Sequence, residues 1–282
     1  MPRIHPTTVI EPGAQIADDV VIGPLCYIGP DVVIGAGTQL QSHVAVVGHT
    51  AIGRSNVIWP HATLGASPQD LKYKGEDTRL IIGDHNTIRE SVTIHPGTVN
   101  GGGVTRLGYD NFIMAGAHVA HDCLLGDHIV ITNAVQLAGH ISIGDHAIIG
   151  GASAVHSYVS IGQYAFVGGM TRVTKDVPPF MTVEGNPSQV RGVNAIGLER
   201  NCFAPENIHL IKDAYRRLFR NPNGDGGAVG NLADNLAVLE TDHGDDECIQ
   251  SLTRFLRRTM IGLHGRYRES LRHDNRHTNP AR

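Results

Sequence analysis

Counting in steps of six from Ile4, the chain places an aliphatic residue at Ile10, Ile16, Ile22, Ile28, Ile34, Leu40, Val46, Ile52, Ile58 and Leu64 without exception. The register returns at Ile82, Ile88 and Ile94. It runs again from Leu107 through Ile113, Val119, Leu125, Ile131, Leu137, Ile143, Ile149, Val155, Ile161 and Val167 to Val173. An amphipathic helix needs apolar spacings of three and four, and a half-buried strand alternates by two, so neither explains a period of six. A parallel β-helix does. Three hexads make one triangular coil, the aliphatic side chains stack as ladders inside it, and backbone hydrogen bonds join coils about 4.8 Å apart.

The flanking positions agree with this reading. Two residues ahead of each aliphatic stand mostly small or β-branched side chains (Thr8, Ala14, Val20, Cys26, Val32, later Ala117 and Cys123), which suit a crowded corner. Glycine often follows the aliphatic, as at Gly23, Gly29, Gly35, Gly53, Gly126, Gly144 and Gly162, and is expected to supply the turn at low steric cost. A chain with 34 glycines and only 5% aromatic residues suits many short strands better than a helical bundle. Two stretches break the register: residues 66–79, with Gln69-Asp70-Leu71-Lys72-Tyr73-Lys74-Gly75, and residues 98–106, with Gly101-Gly102-Gly103. Both are expected to loop out at coil corners, where a rigid scaffold carries its binding groups.

The prism is expected over residues 1–190 and a small helical domain over 191–264. Pro205 suits a first helical position, and Ile208, Ile211, Tyr215 and Leu218 repeat at helical spacing up to Asn221-Pro222-Asn223-Gly224. Leu232, Leu236 and Leu239 suggest a second helix. Ile249, Leu252, Leu256 and Met260, behind Asp245 and Asp246, suggest a third. Residues 265–282 are polar and basic and are expected to form a disordered tail. A net charge of −4 argues against polyanion binding. Four scattered cysteines, no apolar run of membrane-spanning length and no signal-peptide pattern set the expectation of a soluble cytoplasmic protein.

Function must come from polar residues that the repeat does not require. Of 17 histidines, His118, His121, His140 and His156 fall within about two coils of one another. His121 is followed by Asp122. One coil of 18 residues later, Gly139 is expected over His121 and His140 over Asp122. A carboxylate beside an imidazole holds its tautomer and stabilises it as it accepts a proton, as a general base for a hydroxyl nucleophile requires. A glycine N–H, here Gly139, can approach a developing oxyanion closely. His5, His49, His61 and His146 read as ordinary surface residues.

Several segments together resemble the UDP-N-acetylglucosamine O-acyltransferases: His5-Pro6-Thr7, Gln69-Asp70-Leu71-Lys72-Tyr73-x-Gly75-Glu76, Ile88-Arg89-Glu90-Ser91-Val92-Thr93-Ile94-His95, Ala117-His118-x-Ala120-His121-Asp122-Cys123, Leu137-Ala138-Gly139-His140, Ile148-Ile149-Gly150-Gly151 and Asp176-Val177-Pro178-Pro179. The resemblance implies an all-β left-handed parallel β-helix with a small α-helical C-terminal domain, assembled as a homotrimer with active sites between subunits. It implies transfer of a 3-hydroxyacyl chain to the glucosamine 3-hydroxyl of UDP-N-acetylglucosamine, the first step of lipid A biosynthesis. The acyl donor would ride on the phosphopantetheine of acyl carrier protein, with no metal and no separate cofactor.

The same resemblance assigns roles. His121 would be the general base, Asp122 its orienting partner and the Gly139 N–H the oxyanion donor. Gln69, Asp70, Lys72, His95, His118, His140 and His156 would line the substrate site, with Asn194 and Arg200 near the nucleotide and carrier arm. Gly169, flanked by Phe166 and Met170, would set acyl-chain length. Three positions depart from the family pattern: Ser157 stands where Gln is usual, and Ile196 and Asn201 where Glu and a second Arg are common. Two other readings stay open at this point, a paralogue acylating a 3-amino UDP-sugar and a γ-carbonic-anhydrase-like zinc enzyme with three histidines around a metal.

Overall fold

The computed structural model describes residues 1–220 and 231–272. The hexads form a three-faced prism. Its faces are parallel sheets of eleven, nine and eight strands, the largest closed by an antiparallel hairpin, Met181–Glu184 and Gln189–Val193. Most strands are two residues long and end on the aliphatic of the hexad. Ile16 pairs with Ile34 and Ile34 with Ile52, one 18-residue coil at a time. The insertions change only the loop, not the stack: Ile52 pairs with Ile82, and Ile82 with Leu107, across 66–79 and 98–106. The ladders are dry, with Ile28, Ile58, Ile88, Ile113, Ile131 and Ile149 at 0% exposure. At about 25 cal/mol per Å² of apolar surface removed from water, these ladders dominate the prism's stability.

The residues two ahead of each aliphatic are buried at the corners, as Val20, Cys26, Val32 and Ala62 are. Where that residue is Asn it joins a ladder of its own. Asn56, Asn86 and Asn111 each accept from the backbone N–H one coil up and donate Nδ2–H to a glycine carbonyl. This satisfies polar groups that would otherwise be costly to bury.

The expected turning role of the glycines after the aliphatics is corrected by the backbone. Left-handed φ angles fall two residues further on, at Leu25, His43, Ser55, His61, Asp122, His140 and Tyr158. The glycines serve close approach instead. A methyl group on Gly35 would stand 2.6 Å from the Gly53 carbonyl oxygen of the next coil. A corner that tolerates Asp, His and Tyr in the left-handed region can display chemistry, whereas one that required glycine there could not.

Among the described residues five helices follow: α1 Ala195–Arg200, α2 Pro205–Phe219, α3 Leu232–His243, α4 Glu247–Met260 and α5 Tyr267–Ser270. Pro205 is the first residue of α2, and the Asp246 side chain caps α4 by accepting from the Cys248 and Ile249 N–H groups. Residues 221–224, expected to end α2, lie outside the described residues. The helices bury Ile208, Ile211, Leu236, Ile249 and Leu252 in a second core that includes Phe180 and Met181 of the prism. Cys26, Cys123 and Cys248 are buried, Cys202 is exposed, and all four are free thiols. No helix among the described residues is long and apolar enough to cross a membrane.

The expected disorder of residues 265–282 is corrected for 265–272. Arg266 is 8% exposed and donates to the Thr174 carbonyl, and the Tyr267 N–H donates to Asp176. These polar anchors hold a segment that has no hydrophobic pattern to announce it. Residues 273–282 lie outside the described residues.

Candidate active site

Asp122 sits at a coil corner with its side chain fully buried. Such a carboxylate needs donors, and the second insertion supplies them: the Thr98 N–H reaches Oδ1 at 2.7 Å and the Thr98 hydroxyl reaches Oδ2 at 2.6 Å. The Asp122 N–H donates to Thr105 Oγ1 at 2.8 Å. Gly101 packs so tightly on this carboxylate that any side chain there would collide with it. The 98–106 segment therefore folds back on the corner rather than looping away from it. Neither Thr98 nor Thr105 stands out in the sequence; the glycine run between them is the only signal.

Two imidazoles converge on Asp122 Oδ2. His121 Nδ1 lies 2.7 Å away and His140 Nδ1 3.7 Å away, so only His121 makes a hydrogen bond. Since a carboxylate only accepts, the His121 proton is assigned to Nδ1, leaving Nε2 as the basic nitrogen. The His140 ring meets His121 edge-on, centroids 5.1 Å apart, and stacks on Tyr158 at 4.3 Å. Burial, aided by nearby His121, Arg268 and Arg272 and opposed by Asp122, pushes the His140 pKa down to about 4. His140 is therefore neutral at neutral pH. His121, Asp122 and His140 are also the one group among the described residues whose ligand atoms could gather on a metal ion, all within 4.8 Å. The His121 nitrogen nearest the carboxylate is already committed to it.

Gly139 lies against the face of His121: a methyl group there would stand 2.6 Å from Cε1 and 2.8 Å from Nε2. The Gly139 carbonyl accepts from Tyr158 N–H, while its own N–H has no partner among the described residues. The corner opens into a cavity of about 470 Å³. Gln69, Asp70 and Lys72 of the first insertion form one wall, and His156 lines it beside His121 and His140. Asp70 Oδ1 accepts from the Lys72 N–H at 3.0 Å, which shapes this loop.

His95 and His118 stand on the adjacent face, rings edge-on at 5.2 Å. His95 Nδ1 donates to the Ala66 carbonyl, tying the first insertion to the prism, and its buried Nε2 has no partner among the described residues. His118 Nδ1 pairs with Thr93 Oγ1 at 2.7 Å, and burial, with His95 and His121 nearby, lowers its pKa.

Several solved structures of similar shape are described as UDP-N-acetylglucosamine acyltransferases. The chain is 44% identical to the UDP-N-acetylglucosamine O-acyltransferase of Moraxella catarrhalis, over 89% of this chain and 95% of that one, with a TM-score of 0.84. The enzyme of Bacteroides fragilis matches at 38% identity over 90% and 96% (TM-score 0.85). The Arabidopsis UDP-N-acetylglucosamine acyltransferase matches at 33% identity over 92% and 97% (TM-score 0.79). The family model for domain 2 of UDP-N-acetylglucosamine O-acyltransferase matches residues 176–264, and that for bacterial transferase hexapeptides residues 1–36. The chain belongs to the UDP-N-acetylglucosamine O-acyltransferase family.

As an acyltransferase of this family, the single chain brings together only part of the expected site. Gly169 and Met170 lie at a different corner, between the eleven- and nine-stranded faces, with Met170 82% exposed. Phe166 is on the eleven-stranded face, paired with Ile148 and Thr182. Asn194 is at the third corner, where its Nδ2–H donates to the Tyr164 carbonyl and its Oδ1 caps α1 at Gly197. Arg200 ends α1, exposed. Tyr158 and two arginines of the last segment, Arg268 and Arg272, were not singled out by sequence. Tyr158 carries a legible sign, its place one coil above His140, whereas the arginines carry none.

Proposed function

We propose that the protein transfers a 3-hydroxyacyl chain from acyl carrier protein to the glucosamine 3-hydroxyl of UDP-N-acetylglucosamine, the first reaction of lipid A biosynthesis. The carrying observation is the 2.7 Å bond from His121 to buried Asp122, which leaves a basic nitrogen on a ring that lines the cavity. His121 Nε2 removes the hydroxyl proton as that oxygen attacks the thioester carbonyl. The Gly139 N–H stabilises the resulting oxyanion. Collapse breaks the carbon–sulfur bond, and the departing phosphopantetheine thiolate takes the proton back from His121. Choosing His121 over His140 as base rests on the 2.7 Å and 3.7 Å separations from the carboxylate.

The site is completed by a neighbouring copy in a cytoplasmic homotrimer, with Asn194 and Arg200 toward the nucleotide and carrier arm and Gly169, Phe166 and Met170 bounding the acyl chain. Supporting this, Gly169 and Met170, Phe166 and Asn194 occupy other corners and faces of the prism than His121, so one copy alone does not bring them to the His121 cavity. No metal and no separate cofactor enters the reaction.

Mass spectrometry of products from a mixture of hydroxyacyl carrier proteins and UDP-N-acetylglucosamine tests the reading. An alkali-labile monoester is the expected product. Acylation confined to a 3-amino UDP-sugar, or to coenzyme A donors, would replace it.

A further inference from the structure

The family domain matched in this chain ends at residue 264, yet the chain continues onto the prism and into the catalytic cavity. Residues 265–272 are anchored at three places. The Asp176 N–H donates to the Gly265 carbonyl at 2.8 Å, and Asp176 Oδ2 accepts from Tyr267 N–H at 2.8 Å. Arg266 donates to the Thr174 carbonyl at 2.7 Å and to Glu269 at 2.6 Å. Beyond these anchors, Arg268 Nε donates to the His140 carbonyl oxygen at 2.8 Å. The Arg272 guanidinium stands 5.5 Å from the centre of the Tyr158 ring, the ring on which His140 stacks. Glu269 and Arg272 line the cavity together with His121 and His140.

We propose that this strap is part of the acyl-acceptor site, with Arg272 binding the diphosphate of the nucleotide-linked acceptor and Arg268 acting as a positioning residue for His140. The inference rests on the reading that a UDP-sugar occupies this cavity. A diphosphate entering a partly enclosed space needs cations, and a guanidinium matches phosphate oxygens in a bidentate fork. Glu269, the acidic member of the strap, is paired with Arg266, so its carboxylate is balanced within the strap itself. The Tyr158 ring fixes the plane over which Arg272 lies. His140 holds a left-handed φ of 65°, a conformation its surroundings must maintain, and the Arg268 bond ties its carbonyl in place. Through the edge-on His140–His121 contact, that corner bears on the ring of the base.

The test uses the full-length protein and its variants Arg272→Gln, Arg272→Lys, Arg268→Met and Arg268→Lys, each checked for folding by thermal melting. KM and kcat are measured with UDP-N-acetylglucosamine, and UDP binding by calorimetry. Arg272→Gln should raise both KM and the UDP Kd about 10- to 100-fold with a smaller change in kcat, and Arg272→Lys should recover part of the loss. Arg268→Met should lower kcat about tenfold with little change in UDP affinity, and Arg268→Lys should partly rescue it. Turnover by the wild type with UDP affinity and KM unchanged in Arg272→Gln overturns the phosphate role and leaves the transferase reading standing. An unchanged kcat in Arg268→Met overturns the positioning role. A wild type that neither binds UDP nor acylates its sugar overturns both this inference and the reading beneath it.

Discussion

Replacing Gly139 by alanine isolates the packing that holds the base. The backbone at Gly139 is outside the left-handed region, so alanine brings no conformational strain, and the N–H offered to the oxyanion remains. What changes is one methyl group placed 2.6 Å from His121 Cε1, and restoring an ordinary contact of 3.4 Å forces the ring back by roughly 0.8 Å. Because Gly139 lies over the face of the ring, a shift of that size lengthens the in-plane 2.7 Å bond to Asp122 little, yet it carries Nε2 out of line with the substrate hydroxyl. Misplacement on the order of 1 Å costs about 10²-fold in rate, so kcat should fall about 30- to 300-fold. Stability should change by less than about 1 kcal/mol, because the imidazole gives way rather than the prism. Steady-state kinetics on Gly139→Ala, His121→Ala and the double variant form the assay. With no imidazole to displace, the alanine at 139 should cost almost nothing in the His121→Ala background. Full additivity of the two losses, or a Gly139→Ala enzyme within about threefold of wild type, would refute the reasoning.

Other outcomes follow from the same geometry. His121→Ala should fold normally yet lose roughly 10²–10⁴-fold in turnover, and Asp122→Asn less, because it disturbs the tautomer and leaves the base in place; near-normal turnover in His121→Ala with loss in His140→Ala would move the base to His140. The folded-state pKa of His140 lies below its unfolded value, so the unfolded chain binds more protons between about pH 4 and 6.5 and stability falls as pH drops through that window. Melting His140→Asn alongside wild type at pH 7 and pH 4.5 should show the wild type losing on the order of 1–3 kcal/mol more, and parallel losses would count against it. Gly169→Met should favour shorter acyl donors, each excluded methylene being worth about 0.8 kcal/mol; an unchanged product profile would place the ruler elsewhere, with Ser157 and Met170 next to be tried. Docking of an acidic carrier protein on Arg200, Arg216, Arg217 and Arg220 should weaken with salt, although Arg216 is already paired with Asp213, and a salt-independent affinity would exclude this surface.

The hexad by itself determined the prism. With one aliphatic every six residues, only a triangular coil lets Ile22, Leu40 and Ile58 leave water together, and each coil repeats the same local solution. That register also placed Gly139 beside His121 and His140 near Asp122, because a fixed coil length turns sequence separation into distance. Helical spacing and capping residues likewise announced α2, α3 and α4. Contacts without a period were decided only by the tertiary structure. Thr98 reaches Asp122 from 24 residues away because an insertion happens to fold inward, and Arg268 reaches His140 across 128 residues. The place of Asn194 at the corner of Tyr164, beyond the last hexad, is likewise a property of the assembled prism. Burial of a repeated apolar residue is written locally, since every coil meets the same solvent. A polar bond between distant segments is worth only about 1–3 kcal/mol and leaves no pattern in either segment, so it becomes visible only once the chain has brought them together.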